Sequence, residues 1–331
     1  MKMNFNEKVD NQFSRFILKT PNYPTNLVHL YADYVELVAL FSNDNFVTSS
    51  DIQDRLIDEG VENIEEDLGS TSEIGSTKSE QMDSIETRIR NIFLLIEERS
   101  TLYKDHYPFI YSKEKLKLKE QLDYKNELYL MLLTASNLKL FNKVQSELTS
   151  EFEVISFYVL KNYLPEKAIV KQFGKQSDYD GNAKTKIKEL AKDLQLEIDE
   201  YEINQISERN IQERGLDIIG WIPFDDECPN MLVILAQCAC GKKWHGKHHD
   251  TTRFENYYNF YKSKPQHALF IPYSLINYSV NKFYQSDEVE NNRMVFERKR
   301  LIEYFKEEDV FNNLDSKKLI EKCIDYQEDI V

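Results

Sequence analysis

Residues 215–247 read GLDIIGWIPFDDECPNMLVILAQCACGKKWHGK. An acid, Asp217, opens an apolar run from Ile218 to Ile222, a turn rich in Asp, Cys, Pro and Asn follows, and a second apolar run extends from Met231 to Ala236. Two β-like runs joined by such a turn predict a hairpin. The second run ends on Gln237, with Gly241, Lys242 and Lys243 just beyond it. An acid within an apolar strand costs free energy unless it is paired, hydrogen-bonded or bound to metal, which makes Asp217 the most informative residue of the chain. A carboxylate on one strand, an amide oxygen on the next and a lysine nearby can together hold a divalent cation against a phosphate.

Upstream of this hairpin, LTSEFEVISFYVLKNYLP (Leu148 to Pro165) has the apolar spacing of an amphipathic helix, with Phe152, Ile155, Val159 and Leu160 on one face and Pro165 as its stop. Glu153 lies on this helix and competes with Glu147 and Glu151 for a place near the hairpin. A turn-rich segment leads to a second helix opening near Asn182. Its Lys184, Lys186 and Lys188 could meet a phosphate at the helix N-terminus, or the helix is a solvated one packed through Ile187, Leu190, Ala191 and Leu194. Downstream, Gly241 to Arg253 (GKKWHGKHHDTTR) gathers Lys, His and Arg, so Lys242, Lys243, Lys247 and Arg253 are candidate contacts to nucleic acid. Arg253 to Tyr261 reads as an aromatic-rich helix, and His267 to Ile276 as a buried strand.

The stretch around Asp217 and Gln237 resembles the core of the PD-(D/E)xK restriction-endonuclease-like nucleases, in the variant where Gln replaces the second acid. Carried over residue by residue, Asp217 matches the first acid, Gln237 the second position and Glu153 the acid that a preceding helix contributes. The lysine of the pattern falls on Ala239, so Lys242, or failing that Lys243, has to supply it from the next turn. The resemblance implies an α+β fold with an αβββαβ core over residues 146–331. It also implies Mg²⁺ or Mn²⁺ held by Asp217, Gln237 and Glu153 with the Cys238 backbone oxygen, and hydrolysis of DNA phosphodiesters. Proteins of this kind frequently belong to prokaryotic antiviral defence systems and work with a partner protein, often an ATPase; oligomer formation stays open. The alternative it leaves is a catalytically degenerate nuclease fold that binds nucleic acid or protein, suggested by Ala239.

Residues 1–145 read as a helical region. NLVHLYADYVELVALF (Asn26 to Phe41) repeats apolar residues at three and four, a further helix starts near Ser50 as N-cap and stops at Gly60, and helical periodicity returns over Ser84 to Tyr103 and from Ser112 through Leu140. Between them, residues 61–82 are rich in Glu, Asp, Ser, Thr and Gly, and read as a loop or disordered insertion.

Composition sets the outer bounds. With 331 residues and 41% hydrophobic content, the chain can build a core and carry two domains. No apolar run approaches the roughly 20 residues that span a bilayer, and MKMNFNEKVDNQF lacks the apolar segment of a signal peptide, so a cytoplasmic, membrane-free protein with free thiols is expected. A net charge of −15 is unlike that of a non-specific nucleic-acid binder, so any such affinity must be local or come from a partner. Cys228, Cys238, Cys240, His245, His248 and His249 offer zinc-type ligands, but the single residue between Cys238 and Cys240 favours core thiols beside a His-rich turn. No GxxxxGK[ST] loop or GxSxG elbow is present.

Overall fold

The computed structural model describes residues 3–24, 26–58, 78–207, 215–224, 226, 228–242, 244–247, 250–261, 263–277, 279–284 and 293–327. The fold is mixed α+β. Its two compact units are not consecutive in the chain: one takes residues 1–133, 275–284 and 315–331, the other 134–274 and 285–314.

The first unit combines helices α1 (Phe5–Phe13), α2 (Val28–Phe41), α3 (Ser49–Asp58), α4 (Lys78–Tyr103) and most of α5 (Tyr124–Ala135) with a sheet of β1 (Phe46–Thr48), β2 (Phe109–Ser112) and β3 (Lys115–Leu118), ordered β1-β3-β2. The turn of the β2–β3 hairpin and strand β3 fall inside the helical periodicity expected from Ser112 on. Lys115 to Leu118 (KLKL) alternates half-buried and buried residues, the period of a strand. The two-residue turn puts Lys113 and Glu114 at φ of 51° and 58°, the positive pair that a tight hairpin demands, in residues that do not advertise it. Helix α3 is capped by Thr48 rather than Ser50: the Asp51 N–H donates to Thr48 Oγ1 at 3.3 Å while the Thr48 N–H donates to Asp51 Oδ2 at 2.8 Å. Gly60 and the acidic stretch up to residue 77 lie outside the described residues, and from Lys78 the chain is already helix α4. At the centre of this unit a buried guanidinium, Arg99, bonds Asp33 and Glu36 at 2.8 Å each and the His29 carbonyl at 3.0 Å, and Tyr107 and Tyr129 donate to the same Glu36 oxygen at 2.8 and 2.9 Å. Burial pulls the Arg99 pKa down, but the charges of Glu36 and Asp33 outweigh it and hold it well above the ordinary value.

The second unit is built on a five-stranded sheet: β4 (Ile169–Gln172), β6 (Ile218–Ile222), β7 (Leu232–Cys238), β9 (Gln266–Phe270) and β12 (Arg293–Phe296), ordered β12-β9-β7-β6-β4. Strands β4, β6 and β7 form an antiparallel meander, and β9 and β12 continue it in parallel. Helix α6 (Gln145–Tyr163) covers one face with Leu148, Phe152, Ile155, Val159 and Leu160 buried. Gly220 on β6 makes that packing close, since a Cβ there would stand 2.9 Å from Leu164 Cδ1 and 3.3 Å from Leu160 Cδ2. On the other face Ile219, Trp221, Val233 and Leu235 share a core with helix α7 (Ala183–Asp193), whose N-cap Asn182 accepts from the Thr185 N–H at 3.0 Å. Lys188 is engaged with Glu200 at 3.1 Å, and Ile187, Leu190 and Ala191 are buried.

The expected helix over Arg253 to Tyr261 is instead a 3₁₀ turn, Thr252–Asn256, followed by strand β8 (Tyr258–Asn259), which pairs with β5 (Glu197–Ile198). Phe254, Tyr257, Tyr258 and Phe260 all enter the α7 core, and adjacent buried aromatics fit an extended segment better than one helix face. The expected strand His267 to Ile276 ends at Phe270. The tail begins with β12 before its helices Arg298–Tyr304, Glu308–Asn312 and Asp315–Asp325. Among the described residues no helix is long and apolar enough to cross a membrane.

Candidate functional site

The register of β6 on β7 ends on the pair Ile218 and Ala236, and Asp217 and Gln237 are the next residues of the two chain segments. The ladder slips by one residue there: the Asp217 N–H donates to the Ala236 carbonyl at 3.0 Å rather than to that of Gln237, as at a β-bulge. Each stands one residue beyond that last pair, and both line the same cleft. Both are buried, Asp217 to 8% exposure and Gln237 to 3%. The Asp217 carbonyl in turn accepts from the Phe173 and Gly174 N–H groups at 2.7 and 3.0 Å, which ties the end of β4 to the same point.

Asp217 Oδ2 is held by the Cys238 N–H at 2.7 Å. Its Oδ1 lies 3.1 Å from where a Cβ on Gly174 would sit, and Glu153 Oε2 lies 3.3 Å from that same point. Glu153 of α6 therefore reaches the hairpin, and the carboxylates converge where Gly174 offers no side chain. Glu153, Asp217 and Gln237 line one cleft of about 510 Å³ together with Cys238, Cys240, Gly241, Lys247, Asp250 and Arg253.

The thiols report the local field. Burial, then the charges of Asp217 and Glu153, push the Cys238 thiol well up; burial, then Glu153 and Asp217, do the same at Cys240, where Lys247 pulls the other way. Both shifts favour the neutral thiol. All four cysteines are free.

Of the lysines anticipated for this site, Lys247 lines the cleft, whereas Lys242 is half-buried in the preceding turn and Lys243 lies outside the described residues. Arg253 lines it as well, with its guanidinium 3.8 Å from Asp250 Oδ1. Ala239, at the lysine position of the pattern, is buried. Glu147 and Glu151 are not among the lining residues. The side chains of His245, His248 and His249, part of the zinc alternative, lie outside the described residues.

One cleft residue escaped the sequence reading. Asp250 Oδ2 accepts from Gln237 Nε2 at 3.0 Å. An acid in the middle of a Lys, His and Arg-rich turn was the available signal. Its neighbour Thr251 anchors that turn through Oγ1 to His267 Nδ1 at 3.0 Å, and His267 Nε2 meets Glu255 Oε1 at 3.0 Å.

Whether this set suits a cation is tested by its unused acceptor. Gln237 Oε1 is buried and has no hydrogen-bond partner among the described residues, and leaving a buried acceptor unsatisfied costs about 1–3 kcal/mol. Among the described residues no three His, Cys, Asp or Glu side chains gather into a metal-holding group. Two carboxylates and an amide oxygen are nevertheless a hard-oxygen set, and Mg²⁺ needs only one or two protein carboxylates because it keeps several waters. Such an oxygen set has the chemistry that hard divalent cations such as Mg²⁺ and Mn²⁺ accept. Comparison with known proteins gives no match, whether with family models, curated proteins or solved structures.

Proposed function

We propose that this chain is a metal-dependent nuclease that hydrolyses phosphodiester bonds in DNA, with its catalytic unit on a restriction-endonuclease-like core. The observation that carries the proposal is that Glu153, Asp217 and Gln237 line one cleft, with the buried Gln237 Oε1 lacking a hydrogen-bond partner among the described residues. The order of elements supports it: a helix, three antiparallel strands and a fourth strand parallel to the third, as αβββαβ requires. Helix α7, β5 and the short helix Glu200–Asn204 are inserted between the first two strands, and 3₁₀ turns replace the second helix.

In this reading Asp217, Glu153 and Gln237 hold Mg²⁺ or Mn²⁺. When bound, the cation lowers the pKa of a coordinated water and neutralises charge developing on the phosphate. The remaining work falls to the chain itself. The Cys238 N–H holds Oδ2 of Asp217 and leaves Oδ1 on the Glu153 side. Lys247 and Arg253 place positive charge at the cleft, where a phosphate meets it. Lys247 takes the part for which Lys242 is the nearer candidate in sequence.

Because the chain carries a net charge of −15, these local cations provide limited affinity for a polyanion. A partner protein that delivers the nucleic acid, such as an ATPase of the same antiviral system, completes the proposal. A second reading, a degenerate fold that binds without cutting, is favoured by the buried Ala239 at the lysine position. The two separate on supercoiled plasmid incubated with Mg²⁺ or Mn²⁺. Nicking that stops with EDTA and in Asp217→Ala supports the nuclease; DNA binding that survives Asp217→Ala, with no nicking in either cation, supports the binding module.

A further inference from the structure

We infer that Asp250 is a positioning residue of the cleft, which selects the atom of the Gln237 amide that faces the cation; the inference rests on the cation-site reading above. A carboxylate only accepts hydrogen bonds, so Asp250 Oδ2, at 3.0 Å, draws the Gln237 amide nitrogen to its own side. The amide oxygen is thereby left on the other side, buried and without a partner among the described residues. Of the two amide ends, only the oxygen can bind a hard cation. Turned the other way, the amide would set its oxygen against a carboxylate and offer the cation an N–H.

Asp250 is itself fixed in place. Gly215 adopts φ of +90° directly against it, and a Cβ at that position would fall 2.4 Å from Asp250 Cβ. Only glycine suits that conformation and that approach. The turn that leads into Asp217 thus rests on the side chain that orients Gln237, so the two strand-borne ligands share one support. From the far side, the Thr251–His267–Glu255 chain of hydrogen bonds pins the turn that carries Asp250. Groups that orient metal ligands in this way typically account for about 10- to 100-fold in metal affinity.

The test is Mn²⁺ binding to the full chain, followed by electron paramagnetic resonance of the free ion, for wild type, Asp250→Ala, Asp250→Asn and the double variant Asp250→Ala with Gln237→Glu. Asp250→Ala is expected to weaken binding by about 10- to 100-fold. Asp250→Asn, whose side-chain oxygen can still accept from Gln237, binds close to wild type. The double variant recovers most of the loss, because a carboxylate at position 237 presents an oxygen whichever way it turns. A merely structural role for Asp250 gives no such recovery, and that result overturns the inference, as does an Asp250→Ala protein that binds Mn²⁺ like wild type. If wild type itself binds no Mn²⁺, the cation site falls and this inference falls with it.

Discussion

Gly174→Ala separates the site from the fold. Gly174 is not in the left-handed region, so alanine carries no backbone penalty there, and reduced freedom of the unfolded chain favours it by about 0.4–1 kcal/mol. Against this, the new methyl stands 3.1 Å from Asp217 Oδ1, 3.3 Å from Asp217 Cα and 3.3 Å from Glu153 Oε2. Each neighbour has to yield by a few tenths of an ångström, so the two effects nearly cancel and stability changes by less than about 1 kcal/mol. The site is far less forgiving. Mg²⁺ demands oxygens at about 2.0–2.1 Å in near-octahedral array, and a working site keeps them within about 0.2 Å, so a displacement of that size pushes both carboxylates out of tolerance. The expected result is a protein that melts like wild type and binds Mn²⁺ at least about tenfold more weakly, as large as the loss of a supporting group. Thermal denaturation and isothermal titration with Mn²⁺ read the two quantities independently. A folded Gly174→Ala protein with wild-type Mn²⁺ affinity would refute the placement of Asp217 Oδ1 and Glu153 Oε2 on one cation.

Three further outcomes follow from particular contacts. Lys247→Ala, which removes a cation lining the cleft, is expected to lower the cleavage rate by roughly 10²-fold and Lys242→Ala by much less; the reverse order in a plasmid-nicking time course would return the role to Lys242. Arg99→Ala removes a buried guanidinium that bonds Asp33 and Glu36 and should cost about 3–5 kcal/mol in urea denaturation, whereas a loss below about 1 kcal/mol would mean that water reaches the cluster. Asn182→Ala removes the N-cap of α7 and is expected to cost about 1 kcal/mol, with Asn182→Asp close to neutral in the same melt.

What could be read from the residues alone was what local pattern determines. The hairpin follows from two apolar runs and a turn, and its register ends one residue short of Asp217 and Gln237. Helix α6 follows from its apolar spacing, but which of Glu147, Glu151 and Glu153 turns toward the hairpin depends on how α6 lies across the sheet, and Gly220 sets that by admitting Leu160 and Leu164. The β2–β3 hairpin was obscured because Lys113 and Glu114 carry none of the usual turn chemistry, so the positive φ values there come from the pairing around them. Asp250 was hidden for a different reason. Its partners, Gly215 and Gln237, are 35 and 13 positions away in the chain, and it is tertiary structure that brings the three together. The exchange of segments 275–284 and 315–331 into the first unit is equally long-range and leaves no mark in composition.

Anomalous scattering from crystals soaked in Mn²⁺ shows whether one cation is held among Asp217, Glu153 and Gln237. The expected result is a difference peak in the cleft, within about 2.0–2.6 Å of Asp217 Oδ1 and Gln237 Oε1, that disappears in Asp217→Ala crystals. A cleft without a peak at saturating Mn²⁺, or a peak held by other residues while Gln237 Oε1 stays unbound, would contradict it.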